Sequence, residues 1–269
     1  MLSALLQTVL AVGGVWHPVR PGVWQAELPM APEGPLSGVR AFAIRLDPDQ
    51  LRFDLAPRDA NVRGGWTIDA MPTSAVVAFN AGQFAGAWPW GWLVRDGIEL
   101  QEPGTGTVTM GVVVDTAGRV TLATPDEVPG ARRQARIAFQ SYPALLVGAG
   151  EQPWELRAPG RGVDLQHRDS RLALGTLENG DLVVVLTRFT ALGKRAETLP
   201  WGPTVVEMAD FMRRLGCQRA VLLDGGISGQ MALRGPDGEV KRWKNWRAVP
   251  LGLVVTPAQR ADGSGTPTP

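Results

Sequence analysis

The amino-acid sequence predicts an α+β fold: a mixed, mostly antiparallel sheet with a few helices, forming a single compact domain. Three observations carry this expectation. Short apolar runs are separated by Asp-Pro-Asp, Asp-Gly, Ala-Gly and Asn-Gly turn signals, the pattern of strands joined by hairpins. Glycine and proline number 33 and 22, enough for many turns without reaching low complexity. Helical periodicity is rare and does not alternate with strands, which argues against a doubly wound sheet. At 269 residues and 44% hydrophobic content the chain can bury a substantial core.

Residues 1–12 are apolar, and Val9-Leu10-Ala11 has the small-residue character of a signal-peptidase site, although no Lys or Arg precedes the run. Residues 1–14 thus read as a signal peptide or as a packed leader strand. The run is too short to span a bilayer. Residues 39–46 and 51–55 read as strands around Asp47-Pro48-Asp49, and residues 67–71 as a short helix. Residues 75–79 form an apolar strand that ends at Asn80, Ala81 and Gly82. Residues 92–100 turn at Asp96-Gly97, and residues 108–122 turn at Ala117-Gly118. Arg171 opens a strand that turns at Glu178-Asn179-Gly180 and returns through residues 182–186.

The helix that follows has its own start signal. Thr204 and Glu207 have the spacing of a capping box, Met208, Phe211, Met212 and Leu215 fall on one face, and Gly216 suits the end. Residues 218–223 then form a buried strand, and Asp224 stands where it leaves the sheet, followed by Gly225 and Gly226. Glycines let a ligand approach the backbone. A helix packed antiparallel on this strand would bring Glu207 near Asp224, giving the two carboxylates that glycoside chemistry requires. Residues 251–255 supply a last strand, and residues 258–269 read as a disordered tail.

Composition narrows the function classes. A net charge of +1 without a charged run gives nothing for nucleic acid to hold. Cys217 is the only cysteine and His17 and His167 the only histidines, so no disulfide and no cysteine or histidine metal site is expected. Cys217 reads as buried filler, whereas His167 stands four residues before Arg171, from where it could reach the site. No cofactor is called for. Oxygen ligands could hold a divalent cation beside a phosphate, but no metal-loop spacing is present. Tryptophans at 88, 90 and 92, and again at 243 and 246, could stack on sugar rings or fill space in the core.

Taken together and in this order, these segments resemble the phosphodiester glycosidase family. The family's Asn-Gly-Gly-Phe-Phe-like segment corresponds to residues 80–84, its Arg-Thr-Ala-Ile-Gly-like strand to 171–175, and its early helical Glu to Glu207. Its Asp-Gly-Gly-Gly-Ser-Ser segment corresponds to residues 224–228 and its Arg-x-Val-Pro to 247–250. The resemblance spans residues 16–255. Three positions depart from it: Gln83 replaces Phe, Ile227 replaces the third glycine, and Gly229 replaces the second serine.

The resemblance implies an α+β fold and cleavage of a sugar-1-phosphodiester at the anomeric carbon. Asp224 would be nucleophile or general base and Glu207 its partner acid or orienter. Arg171 and Arg247 would clamp the phosphate. Asn80 and Ser228 would hydrogen-bond substrate, assisted by the backbone amides of Gly82, Gly225 and Gly226. The partner is then a carbohydrate or sugar-phosphodiester substrate, and export to the periplasm or medium accords with the family's bacterial members. A carbohydrate-binding envelope protein without catalysis, and a glycosidase of phosphate-free polysaccharide, are the alternatives.

Overall fold

The computed structural model describes residues 15–31, 33–56, 65–193 and 197–258. The leader or signal segment lies outside the described residues, as does the tail beyond Ala258. The first strands are β1 (His17–Arg20), β2 (Val23–Pro29), β3 (Val39–Leu46), β4 (Leu51–Ala56) and β5 (Val77–Asn80). A small hairpin β6 (Phe84–Ala85) and β7 (Trp88–Pro89) precedes β8 (Leu93–Arg95), β9 (Ile98–Gln101), β10 (Met110–Asp115) and β11 (Val120–Ala123). A one-turn helix α1 (Val128–Ala131) leads to β12 (Ala135–Ser141), β13 (Ala144–Leu146), β14 (Leu172–Leu177) and β15 (Leu182–Phe189). Helix α2 (Val205–Arg214) is followed by β16 (Cys217–Leu223), β17 (Met231–Arg234), β18 (Val240–Trp243) and β19 (Gly252–Pro257).

Among the described residues these strands form three larger sheets, with orders β1-β2-β3-β15-β14-β16-β13, β18-β17-β5-β19-β4 and β11-β10-β12-β8-β9, besides the two-stranded β6-β7 pair. The expected mostly antiparallel pairing and scarcity of helices are present, and the balance lies further toward strand than an α+β fold: among the described residues the strand pairings are antiparallel, and the protein is sheet-rich with few helices. The long apolar runs arise because the first sheet is covered on both faces. Leu172, Leu174, Val184, Leu186, Val221 and Leu223 point into a core shared with the other two sheets, where they meet Phe53, Phe79, Val112 and Phe139. The alternate residues Ala173, Val183, Val185, Ala220 and Leu222 pack instead with Met208, Phe211 and Met212 of α2. Period-2 alternation thus divides each strand between two apolar environments, which leaves no polar face for the sequence to show.

Small residues on the helix-facing side let α2 approach. A Cβ on Gly175 would lie 2.7 Å from Cys217 Sγ, 2.9 Å from Met212 Cε and 3.0 Å from the backbone Arg219 O, so it would push on both the helix and the neighbouring strand. The capping box is formed: Thr204 Oγ1 accepts from Glu207 N at 3.2 Å, and Glu207 Oε2 accepts from Thr204 N at 2.8 Å. The predicted hairpins at Asp96-Gly97, Ala117-Gly118 and residues 178–180 are all present. The sequence pattern does not mark strands β1, β2, β6, β7, β12, β13, β17 and β18. Cys217 is buried, and that burial pushes its thiol up to about 12.

Antiparallel pairing fixes where the polar ends fall. Leu172, at the start of β14, is opposite Leu223, at the end of β16. Residues just before β14 therefore face residues just after β16. Asn80, at the end of β5, pairs with Gly252 in the second sheet and reaches across to the same place.

Candidate active site

The loop after β16 is held by its neighbours. Asp224 N donates to Gly82 O at 3.0 Å. Asn80 is buried, and its Nδ2 donates to Asp224 O and Ser228 O, both at 2.9 Å, while its Oδ1 accepts from Gln230 N at 3.1 Å. Asn80 thus closes both ends of the acidic loop and spends its donors and acceptor on protein, not on a substrate. Gly226 adopts φ 52, and its N–H donates to Ser170 O at 2.7 Å. A Cβ on Gly226 would lie 2.7 Å from Asp169 Oδ2, and one on Gly225 would lie 2.6 Å from Ser170 O. These glycines are required by the close approach of the segment before β14. Gly82 likewise has φ 73 and no room for a Cβ against Gln140 O.

That approaching segment brings a second carboxylate, Asp169, which sequence reasoning missed. Asp169 and Asp224 line one cavity of about 360 Å³ together with Arg171, Arg247, His167, Gln83 and Ser228. Burial pushes Asp224 up to about 6; Ser228 and Arg247 pull it down, and the charge of Asp169 pushes it further up. Burial also raises Asp169, against the opposing pull of Arg171, the Ser170 backbone and His167. His167 Nε2 is 3.5 Å from Asp169 Oδ2. Asp169 Oδ1 and Asp224 Oδ2 are buried without a hydrogen-bond partner among the described residues. A buried carboxyl oxygen left unpaired is costly, and such groups cluster where chemistry occurs.

The cations are fixed in different ways. Arg171 Nε donates to Pro203 O at 3.1 Å and its Nη2 to His167 O at 2.6 Å, so the half-buried guanidinium is oriented before any ligand arrives. Arg247 lies over the Phe84 ring, 4.8 Å from its centroid, and its backbone N–H donates to Ile227 O at 3.1 Å. Arg188 is fully buried in β15 and was also unforeseen. Its Nη1 donates to Ser170 Oγ at 2.9 Å, and its Nη2 to Gly229 O and to Lys244 O. One guanidinium therefore ties together the three segments that carry Asp169, Asp224 and Arg247. Burial lowers Arg188 to about 10, which leaves it charged at neutral pH.

Glu207 is placed elsewhere. Arg168 grips its carboxylate with Nη1 at 2.7 Å and Nη2 at 2.8 Å, in addition to the cap on Thr204 N. Burial raises its carboxyl, but the hydrogen bonds from Arg168 and Thr204 outweigh burial and hold it below the usual range. It is not among the residues lining the cavity. Of the residues expected at the site, the structure gathers Asp224, Gly225, Gly226, Ser228, Arg171 and Arg247 on the cavity wall. It sets Asn80, Gly82 and Glu207 behind it. The signal for Asp169 lay in antiparallel pairing, because the residue preceding one strand must stand beside the residue leaving its neighbour. Among the described residues no group of three or more His, Cys, Asp or Glu side chains could hold a metal ion.

Two carboxyls of raised proton affinity thus stand beside two arginines in one cavity. A family model for phosphodiester glycosidases matches residues 70–256, and the chain belongs to that family. Among solved structures it is similar to the zebrafish N-acetylglucosamine-1-phosphodiester alpha-N-acetylglucosaminidase catalytic domain, auto-inhibited by its pro-peptide. That match has TM-score 0.59 and 17% identity, and covers 87% of this chain and 82% of the other. A hypothetical protein from Synechocystis has TM-score 0.55 and 16% identity over 90% and 64% of the two chains. A "putative exported protein" of Burkholderia pseudomallei K96243 has TM-score 0.53 and 17% identity over 81% and 74%. None of the curated proteins compared with it matches this chain. Among the described residues no helix is long and apolar enough to cross a membrane.

Proposed function

We propose that the protein hydrolyses the bond between the anomeric carbon of a sugar and a phosphodiester. The observation that carries this reading is the shared cavity, in which Asp169 and Asp224 stand with Arg171 and Arg247. Cleavage passes through an oxocarbenium-like state, which a nearby carboxylate stabilises. The departing phosphate gathers negative charge, and oriented guanidiniums meet it without reorganising. Asp224 acts as base or nucleophile at the anomeric carbon, and Asp169 is its partner carboxyl. The anomeric C–O bond breaks, its electron pair leaves with the phosphate oxygen, and water supplies the new hydroxyl. A phosphate monoester is a weak base, so it departs with little help from a general acid.

Membership of the phosphodiester glycosidase family supports this reading. The apolar residues 1–12 and the description of the Burkholderia protein as exported support action outside the cytoplasm. The experiment is release of free sugar and phosphate monoester from a panel of sugar-1-phosphodiesters, with wild type, Asp224→Asn and Asp169→Asn in parallel. Each variant is expected to lose roughly 10²–10⁴-fold in turnover while remaining folded. A fully active Asp224→Asn protein would sink the assignment. Arg171→Ala should raise KM for phosphodiester substrates alone; an equal loss on phosphate-free glycosides would favour a polysaccharide glycosidase.

A further inference from the structure

Away from the catalytic cavity lies a larger one, about 780 Å³ in volume, whose wall carries Arg52, Arg119 and Arg136. On one side it is bounded by β4 and the end of β19 in the second sheet. On the other it is bounded by the turn joining β10 to β11 and by the start of β12 in the third sheet. Its place in the fold separates it from Asp224. Strand β19 pairs with Asn80 at Gly252 but reaches this cavity at Thr256 and Pro257, roughly 15 Å further along the strand.

Each guanidinium is oriented by a carboxylate that stands behind the wall. Asp54 accepts from Arg52 Nε and from Arg136 Nη1, both at 2.7 Å, and Phe53 O accepts from Arg136 Nη2 at 2.6 Å. Asp115 accepts from Arg119 Nε at 2.8 Å. Neither Asp54 nor Asp115 lines the cavity. Burial raises the Asp54 carboxyl, but the hydrogen bonds from Arg52 and Arg136 outweigh burial and hold it below the usual range, so this anchor stays ionised. Among the described residues, Arg52 Nη1, Arg119 Nη1 and Arg136 Nε are left without a partner. The hydroxyls of Ser74, Thr116 and Thr256 add donors to the same wall, and Asp49 is its one carboxylate. Its one aromatic residue, Phe53, is buried, so no ring face is offered to a sugar. Such a wall has donors in excess and suits a group that brings acceptor oxygens and negative charge.

We propose that this cavity binds a phosphate-type tetrahedral oxyanion, free or carried as an ester, between Arg52 of the second sheet and Arg119 and Arg136 of the third. The inference is independent of the reaction at Asp224. Guanidiniums set in place beforehand meet the anion with little loss of freedom. The anion adds a second tie between the two sheets beside the Arg136–Asp54 ion pair, which spans 2.7 Å.

The test is calorimetric titration of the full chain with inorganic phosphate and with glucose 6-phosphate, which separates a free anion from one carried as an ester. Arg171→Ala, run in parallel, removes a cation of the catalytic cavity, and binding is expected to survive in it. Arg52→Gln and, separately, Arg119→Gln alter side chains that are mostly exposed and should leave the fold intact. Each should weaken binding about five- to tenfold, whereas Asp49→Asn should tighten it about twofold. Tighter binding of glucose 6-phosphate identifies an ester ligand, and tighter binding of phosphate the free anion. Binding of neither up to ~10 mM, binding indifferent to Arg52 and Arg119, or binding that disappears in Arg171→Ala overturns the site. Because no turnover is needed, the site would stand in a protein that cleaves no phosphodiester, and only the hydrolysis reading would fall.

Discussion

Replacing Asp224 by Asn should make the protein more stable at alkaline pH and no more stable at acid pH. The Asp224 carboxyl holds its proton to about pH 6 in the fold, against an ordinary value of 3.8. Below pH 3.8 both folded and unfolded chains carry the proton, so Asp224 contributes no pH-dependent term. Between these values the unfolded chain ionises first, and each step upward favours unfolding. Above pH 6 the folded protein bears the whole cost. At about 1.4 kcal/mol per tenfold change in proton affinity, that cost is about 3 kcal/mol, an upper bound for a side chain that keeps some contact with water. Asn has the shape of the protonated acid and never ionises. Urea unfolding followed by circular dichroism at pH 4 and pH 8 reads the difference. The variant should match wild type at pH 4 and exceed it by up to about 3 kcal/mol at pH 8, while losing activity. A variant no more stable than wild type at pH 8 would refute the claim that the fold holds this carboxyl against its own ionisation.

Three further substitutions probe the scaffold. Gly226→Ala places a methyl 2.7 Å from Asp169 Oδ2 at φ 52. It should cost roughly 1–3 kcal/mol in thermal or urea unfolding and lower kcat by displacing Asp169. Asn80→Ala leaves Asp224 O, Ser228 O and Gln230 N without their partner. It should destabilise by about 3 kcal/mol, measured by urea unfolding, and unchanged stability would show that the loop closes without it. Glu207→Gln removes the charge gripped by Arg168 but keeps the cap. A loss of about 1 kcal/mol with kcat within a few-fold of wild type is expected, and a collapse in kcat at unchanged stability would return Glu207 to the chemistry.

Much of the scaffold was legible because it rests on local rules. The hairpin at residues 178–180, the Thr204–Glu207 cap and the exit of β16 at Asp224 each depend on residues close in sequence. The placement of Asp224 at a strand exit was legible for the same reason, since an apolar run ending in an acid and two glycines is a local pattern. Asp169 could not, because its role depends on which strand lies beside β16, and β14 offers no local mark of that choice. That Glu207 would stand off the cavity wall was hidden for the converse reason. A first-turn glutamate satisfies the helix whether or not it also faces a cavity, and Arg168, distant in sequence, claims it. Arg188 was hidden inside an apolar strand, where a charge is justified only by acceptors on three separate loops. The sheet-rich balance was underestimated because strands buried on both faces show no alternation.

The position of β19 between β4 and β5 bears on when a growing chain can become active. A strand that occupies the middle of a sheet but is synthesised long after both neighbours leaves a gap, and until it arrives two edges stand open. Asn80, which clamps the acidic loop, sits on one of them and pairs with Gly252. A nascent chain halted before β19 would therefore carry both carboxylates and both neighbouring segments yet lack the partner strand that holds the clamp. Catalytic competence would then arrive together with closure of the second sheet, as a late and non-local event of folding, and the unclosed edges would be the stage most open to mispairing with another chain.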